Sequence, residues 1–199
     1  RRTLTVEAIG PVLGSIGSVL LMQDTLPWKA WIGAVLVSSA VLLVARQSAE
    51  PNRSDTSNPS VIPGVMLCLM AVISGLAGAF LARHVLLETS LSPLQTAAVR
   101  LLGGWLVLLP VLRTTPSTQL SRKWGSWCRI VVATVLGTNL GIALQQLVFR
   151  ELPVGPGVTL MATAPVMALL IAPMEGDAIQ PLGVLAALLA LAGVAVTTL

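Results

Sequence analysis

A handful of polar side chains sit deep inside long apolar stretches of this chain, and they are where chemistry could happen. Arg100 lies about two turns into the stretch Leu94–Arg113. A charge near the centre of a hydrocarbon layer costs about 2.5–3.5 kcal/mol on insertion scales. Such an arginine can face a cavity and meet an anion or a polar solute. It can also snorkel, since one end of its stretch is only about 10 Å away at 1.5 Å per residue. Asn139 and Gln146 are seven residues apart, nearly on one helical face, and Gln145 pairs similarly with Thr138. An uncharged amide can hold a polar solute without the cost of a buried ion. Interhelical hydrogen bonds of about 0.6–2 kcal/mol are the structural alternative.

Thr159 and Thr163 are four residues apart and share a face. They could contact a solute, or bond back to carbonyls of their own helix. Glu7 is the carboxylate of the first apolar stretch. It could couple to a proton or a cation, or simply face the positive end of a helix dipole. Pro11 and Pro165 each remove one helix hydrogen bond, which can kink a helix and expose carbonyls to a cavity.

Catalytic groupings are not found. The chain shows no His–acid pair, no Cys–His pair and no Gly-rich nucleotide loop in a credible context. Gly155-Pro156-Gly157 reads as the start of a helix, not as a phosphate cradle. His84 is the lone histidine, and Cys68 and Cys128 have no metal-ligand spacing, so neither a zinc site nor any cofactor is expected. A disulfide is not expected either. The net charge of +4 comes from basic residues at segment ends and in loops, where lipid headgroups account for them, so no nucleic-acid partner is implied.

The elements that position these residues are apolar segments of membrane-spanning length. Hydrophobic residues make up 55% of the chain and charged residues 10%, with a mean hydropathy of +0.88. A soluble domain usually carries about 25% charge. About seven segments follow one another: Leu4–Met22, Trp28–Ala45, Pro63–Leu87, Leu94–Arg113, Trp127–Phe149, Gly155–Pro173 and Pro181–Leu199, here A to G. About 20 apolar residues in a helix cross the ~30 Å hydrocarbon core, and the runs are continuous rather than alternating. The fold expected is therefore all-α, a polytopic membrane helix bundle. Trp28, Trp31, Trp124 and Trp127 stand at segment ends, as interfacial anchors do. Small residues recur every four positions at Gly10/Gly14, Ala71/Gly75/Ala79 and Gly137/Gly141, which predicts close helix packing along those faces.

Arg46–Ile62 is rich in Ser, Asn, Pro and charge and reads as a solvated linker between A–B and C–G. An internal repeat spans it. Pro11-Val12 matches Pro165-Val166, the acidic turn at Asp24 matches Glu175, and Gly33 matches Gly183.

The C–G half resembles an EamA-type unit of the drug/metabolite transporter superfamily. The residues that carry the likeness are ARHVLLETSLSPLQTAAVR (82–100), GTNLGIALQQLVFRELPVGPGVTLMATAPVMALL (137–170), and the acidic turn with Glu175 leading to Gly183 and Gly193. Arg83-His84 departs from the family, whose members often carry a lysine there. The resemblance implies part of a ten-helix fold made of two five-helix units in inverted orientation. Residues 1–45 then hold the last two helices of a first unit, 46–62 the linker, and 63–199 a second, complete unit. Three helices of the first unit are absent before Arg1, and loss of upstream sequence explains a chain that starts Arg1-Arg2-Thr3 without Met.

What the resemblance implies about function is a secondary transporter of a small organic metabolite, an amino-acid-like compound or a drug. It would work by alternating access, as an exporter in the plasma (inner) membrane. The polar residues singled out above, rather than the resemblance, give its expected pathway: Arg100, Asn139, Gln146, Thr159 and Thr163, with Glu7 as a candidate coupling group. Partners are the solute and the lipid bilayer, with a homodimer as a candidate assembly. The contrasting reading, prompted by the absent helices, is a non-transporting scaffold or an inactive truncated paralogue. The charge bias puts the linker in the cytoplasm. A ten-helix family protein with both termini inside puts it outside, and the length of the linker weakens the charge count.

Overall fold

The computed structural model describes residues 6–47, 61–114, 124–171 and 181–198. Most of the linker, the connection 115–123 and the acidic turn at 172–180 lie outside the described residues. All seven apolar segments are helical, and no strand occurs among the described residues. The helices are α1 (Gly10–Leu21), α2 (Trp28–Gln47), α3 (Val61–Glu88), α4 (Pro93–Thr114), α5 (Trp124–Ala133), α6 (Gly141–Glu151), α7 (Val154–Met161), α8 (Ala164–Ile171) and α9 (Pro181–Thr198). Segment E is α5 and α6 joined by a π-helical stretch, Thr134–Leu140. Segment F is α7 and α8. Among the described residues, four spans are long and apolar enough to cross a membrane unaided: Trp28–Ala45, Gly64–Glu88, Trp127–Glu151 and Pro181–Thr198. α2 and α3 also take in Arg46–Gln47 and Val61–Ile62, so both helices run into the ends of the expected linker.

Segments A and F are interrupted rather than continuous, and proline explains both. The chain turns at Ala8–Ile9, where the Ile9 N–H donates to the Val6 carbonyl (3.2 Å) and the Leu13 N–H to the Ile9 carbonyl (3.0 Å). It turns again at Ala162–Thr163, where the Thr163 N–H donates to the Leu160 carbonyl (3.2 Å) and the Met167 N–H to the Thr163 carbonyl (2.9 Å). These are the same bonds at positions that correspond when Pro11 is matched to Pro165. Each proline sits two residues after its turn, in the first turn of the next helix, where a missing N–H is harmless. The carbonyls four residues earlier, at Glu7 and Met161, lose the donor a regular helix would offer.

The helices gather into two units, Arg1–Leu81 with Leu152–Leu199, and Ala82–Glu151. In the first, α2 and α9 cross antiparallel at Gly33 and Gly193. A Cβ on Gly33 would come within 2.6 Å of the Gly193 carbonyl oxygen, and one on Gly193 within 3.0 Å of that of Gly33. Further along, Ala40 and Val44 pack with Ala186, Ala190 and Val166. α1 runs antiparallel to α7, with Gly14 against Val158 and Ser15 against Gly155. Carried back toward the start of α1, that register brings Ala8–Ile9 toward Ala162. Accordingly Ala8 and Ala162 pack around the same α2 residues, Val37 and Val41.

Ser18 ties this interface at two levels. Its hydroxyl accepts from the Gly155 N–H (3.0 Å), a group at the start of α7 that Pro153, with no polar side chain, cannot cap. Its carbonyl accepts from Met22 and Asp24 N–H groups at the end of α1 (3.2 and 3.1 Å). Gln23 takes the left-handed conformation there (φ 55°), the place where glycine usually ends a helix.

The Ala82–Glu151 unit is built on α4 and segment E. α4 starts with a capping box. The Gln95 N–H donates to Ser92 Oγ (3.3 Å), the Ser92 N–H donates to Gln95 Oε1 (2.8 Å), and Pro93 occupies the first helical position. The expected close packing along Gly137/Gly141 is not found. A Cβ at either glycine, or at Gly75, meets nothing within 4 Å, and both Gly137 and Gly141 are exposed. Small size lets helices approach but does not make them, and the glycine faces that meet include Gly10/Gly14 with α7 and Gly33 with Gly193.

Candidate functional site

In the Ala82–Glu151 unit three of the sequence-selected residues fall in three different settings. Arg100 is exposed, and its guanidinium Nη1 donates to Gln145 Oε1 (3.0 Å), which ties α4 to α6. Asn139 is exposed within the π-helical stretch. Such stretches are rare and are found frequently at functional sites. Gln146 is fully buried, and neither its Nε2 nor its Oε1 has a hydrogen-bond partner. A buried polar group left unpaired costs about 1–3 kcal/mol. The seven-residue spacing of Asn139 and Gln146 therefore does not give them one environment. Asn139 lies in the π-helical stretch and Gln146 in the regular helix α6.

Arg83, a departure noted in the sequence, is a buried cation of this unit. Its Nη1 donates to the Phe149 carbonyl (2.9 Å). Phe149 is among the last residues of α6, whose carbonyls have no partner in their own helix. A cation at the negative end of the helix dipole is stabilising there. Neighbouring His84 is exposed. Helical spacing alone could not mark Arg83, because its partner is a main-chain carbonyl 66 residues away.

The threonines belong to the other unit. Thr159 is buried and its hydroxyl donates to the Gly155 carbonyl (2.9 Å). Thr163 is half-buried at the break in segment F, and its hydroxyl donates to the Leu160 carbonyl (2.6 Å). Each hydroxyl proton is thus given to its own helix, and each oxygen keeps a lone pair for an outside donor. Glu7 is exposed beside the break in segment A.

A groove of about 280 Å³ opens at that first break, lined by Ala8, Ile9 and Val12 and by Val35, Ser38, Ser39 and Leu42 of α2. It is almost wholly apolar. Ser39 Oγ donates to the Val35 carbonyl (2.8 Å), while Ser38 Oγ is buried without a partner. None of the six sequence-selected residues lines it. No cluster of His, Cys, Asp and Glu able to hold a metal occurs among the described residues.

The sequence profile of the EamA-like transporter family matches residues 62–199. The chain belongs to that family. Residues 62–199 hold segments C to G, so the family match covers the whole Ala82–Glu151 unit together with the interrupted segment F and α9. No curated protein and no solved structure matches the chain. Membership fixes the general activity, transport of the drug/metabolite type, and with the apolar helices it makes the chain a multi-pass integral membrane protein. Family members are transporters, not enzymes.

Proposed function

We propose that the chain exports a small, neutral or zwitterionic organic solute across the plasma (inner) membrane by alternating access. The observation that carries this reading is the pair of interrupted helices. Corresponding segments A and F break at matched prolines with the same hydrogen bonds, and they pack antiparallel. Discontinuous helices at corresponding positions of two inverted halves are the best structural pointer to a transporter's binding site. The same correspondence supports reading A–B as the last two helices of a first repeat and 63–199 as a complete second one.

On this reading Arg100, Asn139, Gln146, Thr159 and Thr163 contribute to the pathway, and Glu7 at the first break couples transport to a cation or proton. Preference for an uncharged or zwitterionic solute follows from the chemistry of the set, which is amides and hydroxyls with one arginine already bonded to Gln145. The test is solute flux in vesicles, normalised to folded protein, for an Asn139→Leu, Thr163→Val double variant. Flux should fall while yield and thermal stability hold. Unchanged flux would show that these two residues are structural and that the pathway lies elsewhere.

A further inference from the structure

Among the buried polar side chains, Gln146 stands apart. Ser15 donates to the Pro11 carbonyl (2.9 Å), Ser18 accepts from Gly155, Thr159 donates to the Gly155 carbonyl, and Arg83 donates to the Phe149 carbonyl. Gln146 is equally enclosed, with 0% of its surface exposed, yet its amide nitrogen and its amide oxygen are both without a partner. The adjacent glutamine is in the opposite state, since Gln145 accepts from Arg100. A carboxamide can make up to four hydrogen bonds. One that makes none while fully enclosed is a group whose partner comes from outside the chain.

We infer that Gln146 is the hydrogen-bonding post for the solute, and that it selects a carboxamide or lactam edge. This rests on the transport reading and names its solute class. The argument is one of complementarity. A planar amide presents a donor and an acceptor side by side, so its best partner presents an acceptor and a donor side by side. A primary amide or a cis lactam does so. A carboxylate does not, because one of its oxygens would face the Gln146 oxygen. An ester does not, because it has no donor. The carboxylates of the same unit, Glu88 and Glu151, are exposed at helix ends, so no acidic group competes for the Gln146 donor inside it. A site built to hydrogen-bond a donor–acceptor edge rejects the analogue that lacks it, because its own buried polar groups are then left unpaired.

The experiment is ligand-dependent thermal unfolding of the purified chain in detergent, with three related probes: isobutyramide, isobutyrate and methyl isobutyrate. Isobutyramide should raise Tm, and the other two should not. Gln146→Leu removes the orphan amide, so its Tm without ligand should rise and its response to isobutyramide should vanish. Gln146→Met keeps the size of the side chain but has no donor and should also lose the response, which covers the case in which the leucine variant does not fold. An equal response to all three probes, a response that survives in either variant, or no response to isobutyramide would overturn the inference, and the amide would then be satisfied by buried water or by nothing. An amide-specific, Gln146-dependent shift in a chain that moves no solute in vesicles would refute the transport reading alone. Solute flux without that shift would refute this inference alone.

Discussion

Arg83 and Gln146 show how differently two buried polar side chains are treated at one helix. Arg83 reaches the Phe149 carbonyl near the end of α6 and supplies the donor that the helix lacks there. Arg83→Met should therefore lower stability by about 1–2 kcal/mol, the range of a hydrogen bond between membrane helices, and Arg83→Lys should restore part of it. Thermal unfolding in detergent reads both, and a methionine variant as stable as the parent would show that the bond contributes nothing. Neither residue's state was legible in the sequence. Polarity and spacing singled out Gln146 and left Gln145 as its equal, because only the helix phase decides which of two adjacent amides turns inward. That phase is a tertiary fact, which no local propensity dictates. The threonines were legible to a larger degree. Bonding back to a carbonyl of the same helix was one of two readings for Thr159 and Thr163, and both hydroxyls do so.

The helices themselves were written in the chain. Continuous apolar runs gave all seven segments, Ser92-Pro93-Leu94-Gln95 forms a capping box where that pattern calls for one, and Pro11 and Pro165 mark where A and F break. Glycine spacing was a poorer guide, because a small-residue face needs a partner and the partner is a tertiary fact. Gly155 has one: a Cβ there would meet the Ser15 Cα at 2.6 Å, a contact between backbones that no side-chain rotation relieves. Gly155→Ala should cost about 1–3 kcal/mol, as overpacking does. Gly141→Leu, in open space, should leave stability within about 0.5 kcal/mol, as surface substitutions do. Unfolding temperatures that fall equally in the two variants, or only at Gly141, would contradict the α1–α7 interface.

For the molecule as a whole, membership of the EamA-like transporter family and the matched breaks in segments A and F point the same way. The sequence likeness of Pro11-Val12 to Pro165-Val166 marks where both segments break, and the structure adds that α1 of segment A packs antiparallel to α7 of segment F, and α2 to α9. An alternating-access carrier has a kinetic property that a scaffold or an open pore lacks: the loaded carrier returns faster than the empty one, so solute on one side accelerates flux from the other. The measurement is counterflow in vesicles reconstituted with the protein, using a panel of labelled neutral and zwitterionic solutes. Saturable uptake of at least one of them, accelerated by the same solute preloaded on the opposite side, is the predicted result. The absence of saturable flux for every member of the panel, or flux indifferent to the opposite side, would contradict it.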